Sequence, residues 1–396
     1  MSDRPAVQTD RLSACYDVGE TVTFHVEAPE GVGELCCALT WDGYAPIREV
    51  RLPASADPAV VRVRGDQPGF LRLTVTSEDG TLVGEAAAAI APEHIEPSLP
   101  APEDFDTFWQ SKRAPWQGVP LDAEVSSRPG EEGCRVEAVR LPTPDGETIH
   151  GWLMRPEAPG PFTALVLYHG AGVYAVGSQH GKDWVRHGYM VFSINPHPIS
   201  NEEPQEFYVA LREGALADYR TRGRDSRDSL YFVPMFLRAS LAVDYLAAHP
   251  DWNGKHLHVE GHSHGGGQAL AAAMLNPKVT AISVSCSTHC DHTGPVIGRV
   301  AGWPQMVEVR DGVPDARQVE ACRYIDGVNF ASRIRQPALF GVCFLDKLCP
   351  PTGLYAAYNV LQGPKTVYNQ PLVGHLHTDV YREVAFRWAE VLASSC

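Results

Sequence analysis

The 396 residues carry a formal charge of −15, with 44% hydrophobic and 20% charged content, the balance of an ordinary globular chain long enough for two or three domains. The negative excess argues against nucleic acid and anionic lipid as partners and favours neutral small molecules. No apolar run approaches eighteen residues and Met1 to Arg11 form no hydrophobic signal region, so no membrane span is expected; the chain as given reads as cytoplasmic by default, and as exported if a leader was removed.

From Ala14 to Ile90, short β-type runs alternate with turn signals: Thr21 to Val26, Leu35 to Trp41, Val60 to Val63, and Phe70 to Thr76 before Glu78-Asp79-Gly80. A small all-β, immunoglobulin-like sandwich over 1–92 is expected. Four prolines between Ala91 and Pro102 disfavour helix and suit an extended connector over 93–102. The sandwich region holds no cluster of catalytic groups, which leaves substrate positioning, assembly or a purely structural role open for it.

Glu103 to Trp109 opens a helix with acids in its first turn and bulky residues to anchor it. Two strands follow, Arg135 to Leu141 and Thr148 to Met154, joined at Pro144-Asp145-Gly146 as an antiparallel pair. Beyond Pro161, apolar strands alternate with helices: Ala164 to Tyr168, a helical stretch through Trp184, Tyr189 to Ile194, a helix around Leu237 to Ala248, and Leu257 to Glu260. The rhythm continues with Val279 to Val284, Ala338 to Leu345 and Thr366 to Tyr368. It closes on a helix from Asp379, whose Val380, Val384, Trp388 and Leu392 form a candidate docking stripe. Such alternation predicts an α/β domain over 103–396 with a mostly parallel sheet covered on both faces.

Ligands of open α/β sheets gather at the carboxyl ends of strands, so the polar residues there are the candidates for chemistry. Gly261-His262-Ser263-His264-Gly265 lies between a β-rich run and the helical run Gln268 to Leu275, the setting of a nucleophile elbow. Asp346 follows the strand ending at Leu345, and His375 follows Thr366 to Tyr368 behind Gly374. The order Ser, Asp, His is that of an α/β-hydrolase. A serine hydroxyl needs an imidazole to take its proton, and the imidazole needs a carboxylate to fix its tautomer. Asp326 and Asp315 compete for the acid role, and His377 for the base.

The backbone amides of His264 and Ala171 are the candidate oxyanion donors, the second from the small-residue loop His169-Gly170-Ala171-Gly172. His262, His169 and Tyr174 are candidates for the substrate rim, and the side chains of His262 and His264 are expected to point away from the serine's partner, at the rim or just behind it. Ten cysteines show no repeated paired spacing, and most read as small buried thiols. The run Cys286 to His292 contains sulfur and imidazole, but as a single strand-end loop it lacks the two separated ligand pairs usual for zinc. No metal is assigned.

Together these residues resemble the acetyl xylan esterase and cephalosporin C deacetylase family of α/β-hydrolases. The likeness spans about Pro102 to Ala393. It rests on Pro102 to Trp109, on Gly223-Arg224-Asp225 with Asp228 to Tyr231, and above all on Leu345-Asp346-Lys347-Leu348-Cys349-Pro350-Pro351-Thr352 with Ala356 to Asn359. Gly374-His375 and Cys290-Asp291 also match. Departures are His264 in place of glutamine, Ala171 in place of tyrosine, Leu376 in place of glutamate, and no Arg-Gly-Gln motif near Asn195-Pro196-His197.

The resemblance implies a cofactor-free serine carboxylesterase that removes small acyl groups, acetyl foremost, from carbohydrates or related alcohols, and it points to a homo-oligomer. An oligopeptidase-type serine peptidase and a non-catalytic carbohydrate-binding protein of hydrolase fold are the alternatives. The base acts when neutral, so activity is expected to rise with pH across the range where histidine titrates.

Overall fold

Residues 6–54, 58–130 and 133–394 are described by a computed structural model; residues 1–5, at the start of the stretch read for a leader, and Cys396 lie outside them. The N-terminal strands are β1 (Val7–Thr9), β2 (Cys15–Tyr16), β3 (Thr21–Val26), β4 (Glu34–Trp41), β5 (Ala45–Pro53), β6 (Ala59–Arg64), β7 (Gly69–Ser77) and β8 (Leu82–Ile90). They form two sheets, ordered β1-β3-β6 and β2-β8-β7-β4-β5. Val22, Phe24 and Val26 meet Leu35, Cys37, Leu39, Leu71, Leu73 and Val75 in one core, with the period of two that a pleated strand imposes.

Four of these strands are not anticipated from the sequence, and β1 and β2 are only three and two residues long. β5 is a largely exposed edge whose apolar alternation is confined to Val50 and Leu52. β8 contains Ala86 to Ala89, a helix-favouring residue type, and all four are buried in the sheet; tertiary packing overrides local preference there.

The larger part of the chain is built on a nine-stranded sheet. Its antiparallel end consists of β9 (Glu124–Arg128), β10 (Cys134–Pro142) and β11 (Thr148–Pro156), preceded by helix α1 (Phe105–Arg113). Strands β12 (Phe162–Tyr168), β13 (Tyr189–Ile194), β14 (Trp252–His262) and β15 (Ala281–Ser285) follow, then a two-residue hairpin, β16 (Val309–Arg310) and β17 (Val313–Pro314), and finally β18 (Ala338–Cys343) and β19 (Lys365–Gln370). The spatial order is β19-β18-β15-β14-β12-β13-β11-β10-β9, parallel from β13 to β19. This is the expected α/β-hydrolase architecture.

The helices between the strands are α2 (Lys182–Arg186), α3 (Gln205–Glu213), α4 (Phe232–Ala247), α5 (His264–Leu275), α6 (Ala316–Cys322), α7 (Gly327–Ala331), α8 (Pro351–Val360) and α9 (Asp379–Ser394). Helices α4, α5, α7 and α8 share a core with Leu257 and Val259 of β14. On the opposite face, Trp184 and Val185 of α2 pack with Phe386 and Ala389 of α9. Burial on both faces explains why the central strands read as continuous apolar runs.

The docking stripe of α9 differs from expectation. Val380 is 60% exposed, and the buried face is Tyr381, Ala385, Phe386 and Ala389. A strict fourfold spacing drifts about 40° per step around a helix of 3.6 residues per turn, so Val380 rotates away from the sheet. Among the described residues, no helix is long and apolar enough to cross a membrane.

Candidate active site

Strand β14 ends at His262 and α5 begins at His264, leaving Ser263 alone in the turn with φ 57° and ψ −124°. A non-glycine residue held there costs about 1–3 kcal/mol and persists only when its surroundings dictate it. The two flanking glycines do so by allowing close packing. A Cβ on Gly261 would stand 2.1 Å from the carbonyl of Gly265, and one on Gly265 would stand 2.3 Å from the carbonyl oxygen of Tyr168. The Ser263 amide donates to the Ser285 carbonyl at 2.9 Å, and the Ser263 carbonyl accepts from the amides of Gly266 and Thr288 at 2.9 and 3.0 Å. The turn is tied to β15 as well as to its own helix.

Ser263 Oγ lies 2.8 Å from Nε2 of His375, whose Nδ1 lies 2.8 Å from Oδ2 of Asp346. The other oxygen of Asp346 accepts the amides of Leu348 and Cys349, each at 2.8 Å. Asp346 is buried at 1% exposure and Ser263 sits at 9%. Three side chains distant in sequence therefore meet at the carboxyl ends of β14, β18 and β19. Such a chain can draw the proton from the hydroxyl and hold the resulting imidazolium against a carboxylate.

The rivals lie elsewhere. Asp326 accepts the amides of Asp291, His292 and Val328, the last as the N-cap of α7, and Asp315 caps α6. His377 stacks on His262 at 5.0 Å, with Nε2 3.8 Å from Glu260. The run Cys286 to His292 does not converge: Asp291 binds Ser98 and Arg299, while His289 and His292 face each other at 3.0 Å. Cys286 Sγ does lie within 4.8 Å of ligand atoms of Asp346 and His375. Both nitrogens of that histidine already face partners, and the hydrogen bond between Cys286 and Cys343 together with burial raises the Cys286 thiol well above its ordinary range.

His264 is the first residue of α5, so its amide has no carbonyl one turn earlier in the helix. Its imidazole is not at a rim. It is fully buried, 5.0 Å from Trp303 and 5.6 Å from Phe232, and burial pushes it down to about 3.

Ala171 is exposed on the loop after β12, beside Gly172 with φ 132°. His169, Tyr174 and His262 line a cavity of about 250 Å³ together with Glu260, His377 and Trp184. Within it, His169 Nε2 is 2.7 Å from Ser193 Oγ, the Tyr174 hydroxyl donates to the Gly170 carbonyl at 3.0 Å, and His262 Nδ1 is 2.9 Å from Ser285 Oγ. The His262 ring is also 5.1 Å from that of His375, closer to the serine's partner than sequence adjacency implies.

One group of residues was missed. His197 places Nε2 3.1 Å from the Gly172 carbonyl and Nδ1 2.7 Å from the Tyr231 hydroxyl. Asn195 donates to the Tyr174 carbonyl at 3.0 Å, and the Gly172 amide donates to the Tyr219 hydroxyl at 3.0 Å. These side chains fix the loop that carries Ala171. Asn195 and His197 directly follow β13, so the strand-end rule that found Ser263 points to them too.

The family profile described as acetyl xylan esterase (AXE1) matches residues 93–392. The chain belongs to the acetyl xylan esterase family. It is a carboxylic ester hydrolase on an α/β-hydrolase fold. An acetyl esterase, Axe7A, of Xylanibacter ruminicola is 26% identical over 327 residues, covering 81% of this chain and 74% of that protein. The acetyl xylan esterase structure from Paenibacillus sp. R4 is 27% identical with a TM-score of 0.66, covering 76% of this chain and 98% of that one. Acetyl xylan esterase 1 from Thermoanaerobacterium sp. JW/SL YS485 shares the fold at 22% identity and a TM-score of 0.64, covering 75% and 96%.

Proposed function

We propose that this member of the acetyl xylan esterase family is a serine esterase that removes acetyl groups from acetylated saccharides. The observation that carries the reading is the continuous hydrogen-bonded chain Ser263, His375, Asp346, with both links at 2.8 Å. Its acetyl specificity follows the relatives, an acetyl esterase and an acetyl xylan esterase.

Ser263 Oγ attacks the acetyl carbonyl while its proton passes to His375 Nε2. Asp346 stabilises the imidazolium. The amides of His264 and Ala171 receive the oxyanion, which needs no side chain; a donor of this kind supplies about 3–4 kcal/mol of transition-state stabilisation. His375 then returns the proton to the leaving alcohol oxygen as the tetrahedral C–O bond breaks. Water, deprotonated by the same imidazole, attacks the acetyl-serine; the imidazolium returns that proton to Oγ as the acyl C–O bond breaks, and the acetic acid formed leaves as acetate. His262, His169 and Tyr174 border the space for the saccharide. In this reading 1–92 is the all-β sandwich module, 93–102 the linker and 103–396 the catalytic unit.

The test is acetate release from a panel of acetylated mono- and oligosaccharides, with Ser263→Ala as control. Release by the native protein and none above background by the variant supports the reading; peptide cleavage without acetate release overturns it.

A further inference from the structure

The loop that carries Asp346 is held by residues from outside the family-matched region. Leu71, Leu73 and Val75 of β7 face the sandwich core, so Phe70 and Arg72 face the opposite way. The Phe70 ring meets Phe344 edge-on at 5.0 Å. Arg72, at 1% exposure, donates from Nη2 to the carbonyl oxygens of Phe344 at 3.1 Å and of Asp346 itself at 3.2 Å. The Tyr44 hydroxyl donates to the next carbonyl, that of Lys347, at 2.5 Å, and the Lys347 ammonium reaches Glu85 at 2.7 Å. At the far end of the loop, the Thr352 hydroxyl donates to Asp42 at 2.5 Å.

Gly43 makes room for this contact: with φ 82°, it is a position where a Cβ would stand 2.8 Å from Arg72 Nη1. The arrangement is costly to build, because a guanidinium removed from water loses its hydration and recovers it only through well-placed acceptors. Here both acceptors are the backbone carbonyls on either side of Leu345 and both take Nη2, while Nε and Nη1 are buried without a hydrogen-bond partner among the described residues. The carboxylate of Asp346 is aimed by its own turn, through the amides of Leu348 and Cys349; the carbonyls of Phe344, Asp346 and Lys347 accept from the sandwich, and that of Leu348 accepts the Trp303 amide.

We propose that the N-terminal sandwich is a brace for the catalytic acid, in which Arg72 and Tyr44 are positioning residues that hold the Asp346 turn so that its carboxylate stays on His375. The proposal rests on the reading of Ser263, His375 and Asp346 as the catalytic set. It gives the sandwich a role in turnover and none in binding the ester. Misplacement of a catalytic group by about 1 Å can cost on the order of a hundredfold in rate, so loosening the turn lowers kcat and leaves KM alone.

The experiment compares Arg72→Met, Arg72→Lys, Tyr44→Phe, Val61→Ala and Asp346→Asn in the full chain, measuring kcat and KM for 4-nitrophenyl acetate together with Tm. Val61 is buried in the sandwich core and belongs to none of the contacts named above, so its variant weakens the module without removing the brace. Arg72→Met should lower kcat by about ten- to a hundredfold at unchanged KM, with part of the loss regained in Arg72→Lys. Tyr44→Phe should lower kcat by about threefold with Tm unchanged. Val61→Ala should lower Tm and keep the native kcat.

Native kcat in both Arg72→Met and Tyr44→Phe overturns the brace, as does a kcat loss in Val61→Ala equal to that of Arg72→Met. If Arg72→Met does not fold, Tyr44→Phe decides. Full activity of Asp346→Asn overturns the catalytic assignment instead, so the two failures are distinguishable.

Discussion

Gly265 packs so closely beneath β12 that a Cβ on it would come within 2.3 Å of the Tyr168 carbonyl oxygen. Two backbones meet there with no space for a side chain, and the strained turn at Ser263 depends on that approach. Gly265→Ala should therefore force the elbow away from β12. Overpacking of this kind costs about 1–3 kcal/mol, seen as a lower Tm, and kcat should fall at least about tenfold as the hydroxyl leaves His375. A variant with native Tm and native kcat would show that the turn is held by something else.

Ser263 itself is expected to oppose stability. Its φ of 57° and ψ of −124° are accessible to glycine without strain, whereas serine there costs about 1–3 kcal/mol; the greater flexibility of glycine in the unfolded chain takes back about 0.5–1 kcal/mol. Ser263→Gly should be inactive and yet melt at a higher temperature than the native protein. Urea or thermal unfolding decides the point, and a clear destabilisation contradicts it.

The loop bearing Ala171 should lose its shape without His197, which bonds both the Gly172 carbonyl and the Tyr231 hydroxyl. His197→Leu keeps an apolar side chain in the space and removes both bonds. Stability should fall by about 1–3 kcal/mol from the buried groups left unpaired. The acylation rate should fall more than binding of the acetyl ester, because in the proposed mechanism the displaced Ala171 amide acts on the developing oxyanion. Pre-steady-state acylation kinetics separate the two effects.

The dependence of stability on pH has two opposed sources. Burial pushes Glu260 up to about 8 from an ordinary 4.5. The folded protein thus keeps a proton that the unfolded chain releases, and this contribution is full below the unfolded value and is lost as pH rises toward 8. His169, His258, His264 and His292 are pushed down to about 3 by burial. Their contribution has the opposite sign, being full above about 6.5 and lost as pH falls toward 3. Glu260→Gln stays neutral throughout, so its Tm should gain on that of the native protein between about pH 5 and 8. Parallel Tm curves for the two proteins would contradict the shift.

The catalytic half of the fold was readable because its strands are buried on both faces and appear as apolar runs, each followed by a polar residue at the ligand-facing end. Ser263, Asp346 and His375 occupy three such positions. The features that escaped are those in which partners far along the chain decide the outcome. The alanines of β8 become strand only because the sandwich pairs them. Arg72 sits among alternating strand residues and looks like an outward-facing charge, and nothing local reveals that Phe344 and Asp346 wait on that side. His264 reads as a residue at the rim or just behind it from its place on the elbow, and Phe232 and Trp303 bury its ring.

The most direct test of the central claim is covalent trapping of the folded protein with a fluorophosphonate, followed by peptide mapping and a parallel acetate-release assay. A single adduct on Ser263, stoichiometric with loss of acetate release, is expected, and no adduct on the correctly folded His375→Ala protein over the same interval. Acetate release that persists after Ser263 is fully modified, or an adduct on another residue that tracks the loss of activity, would contradict it.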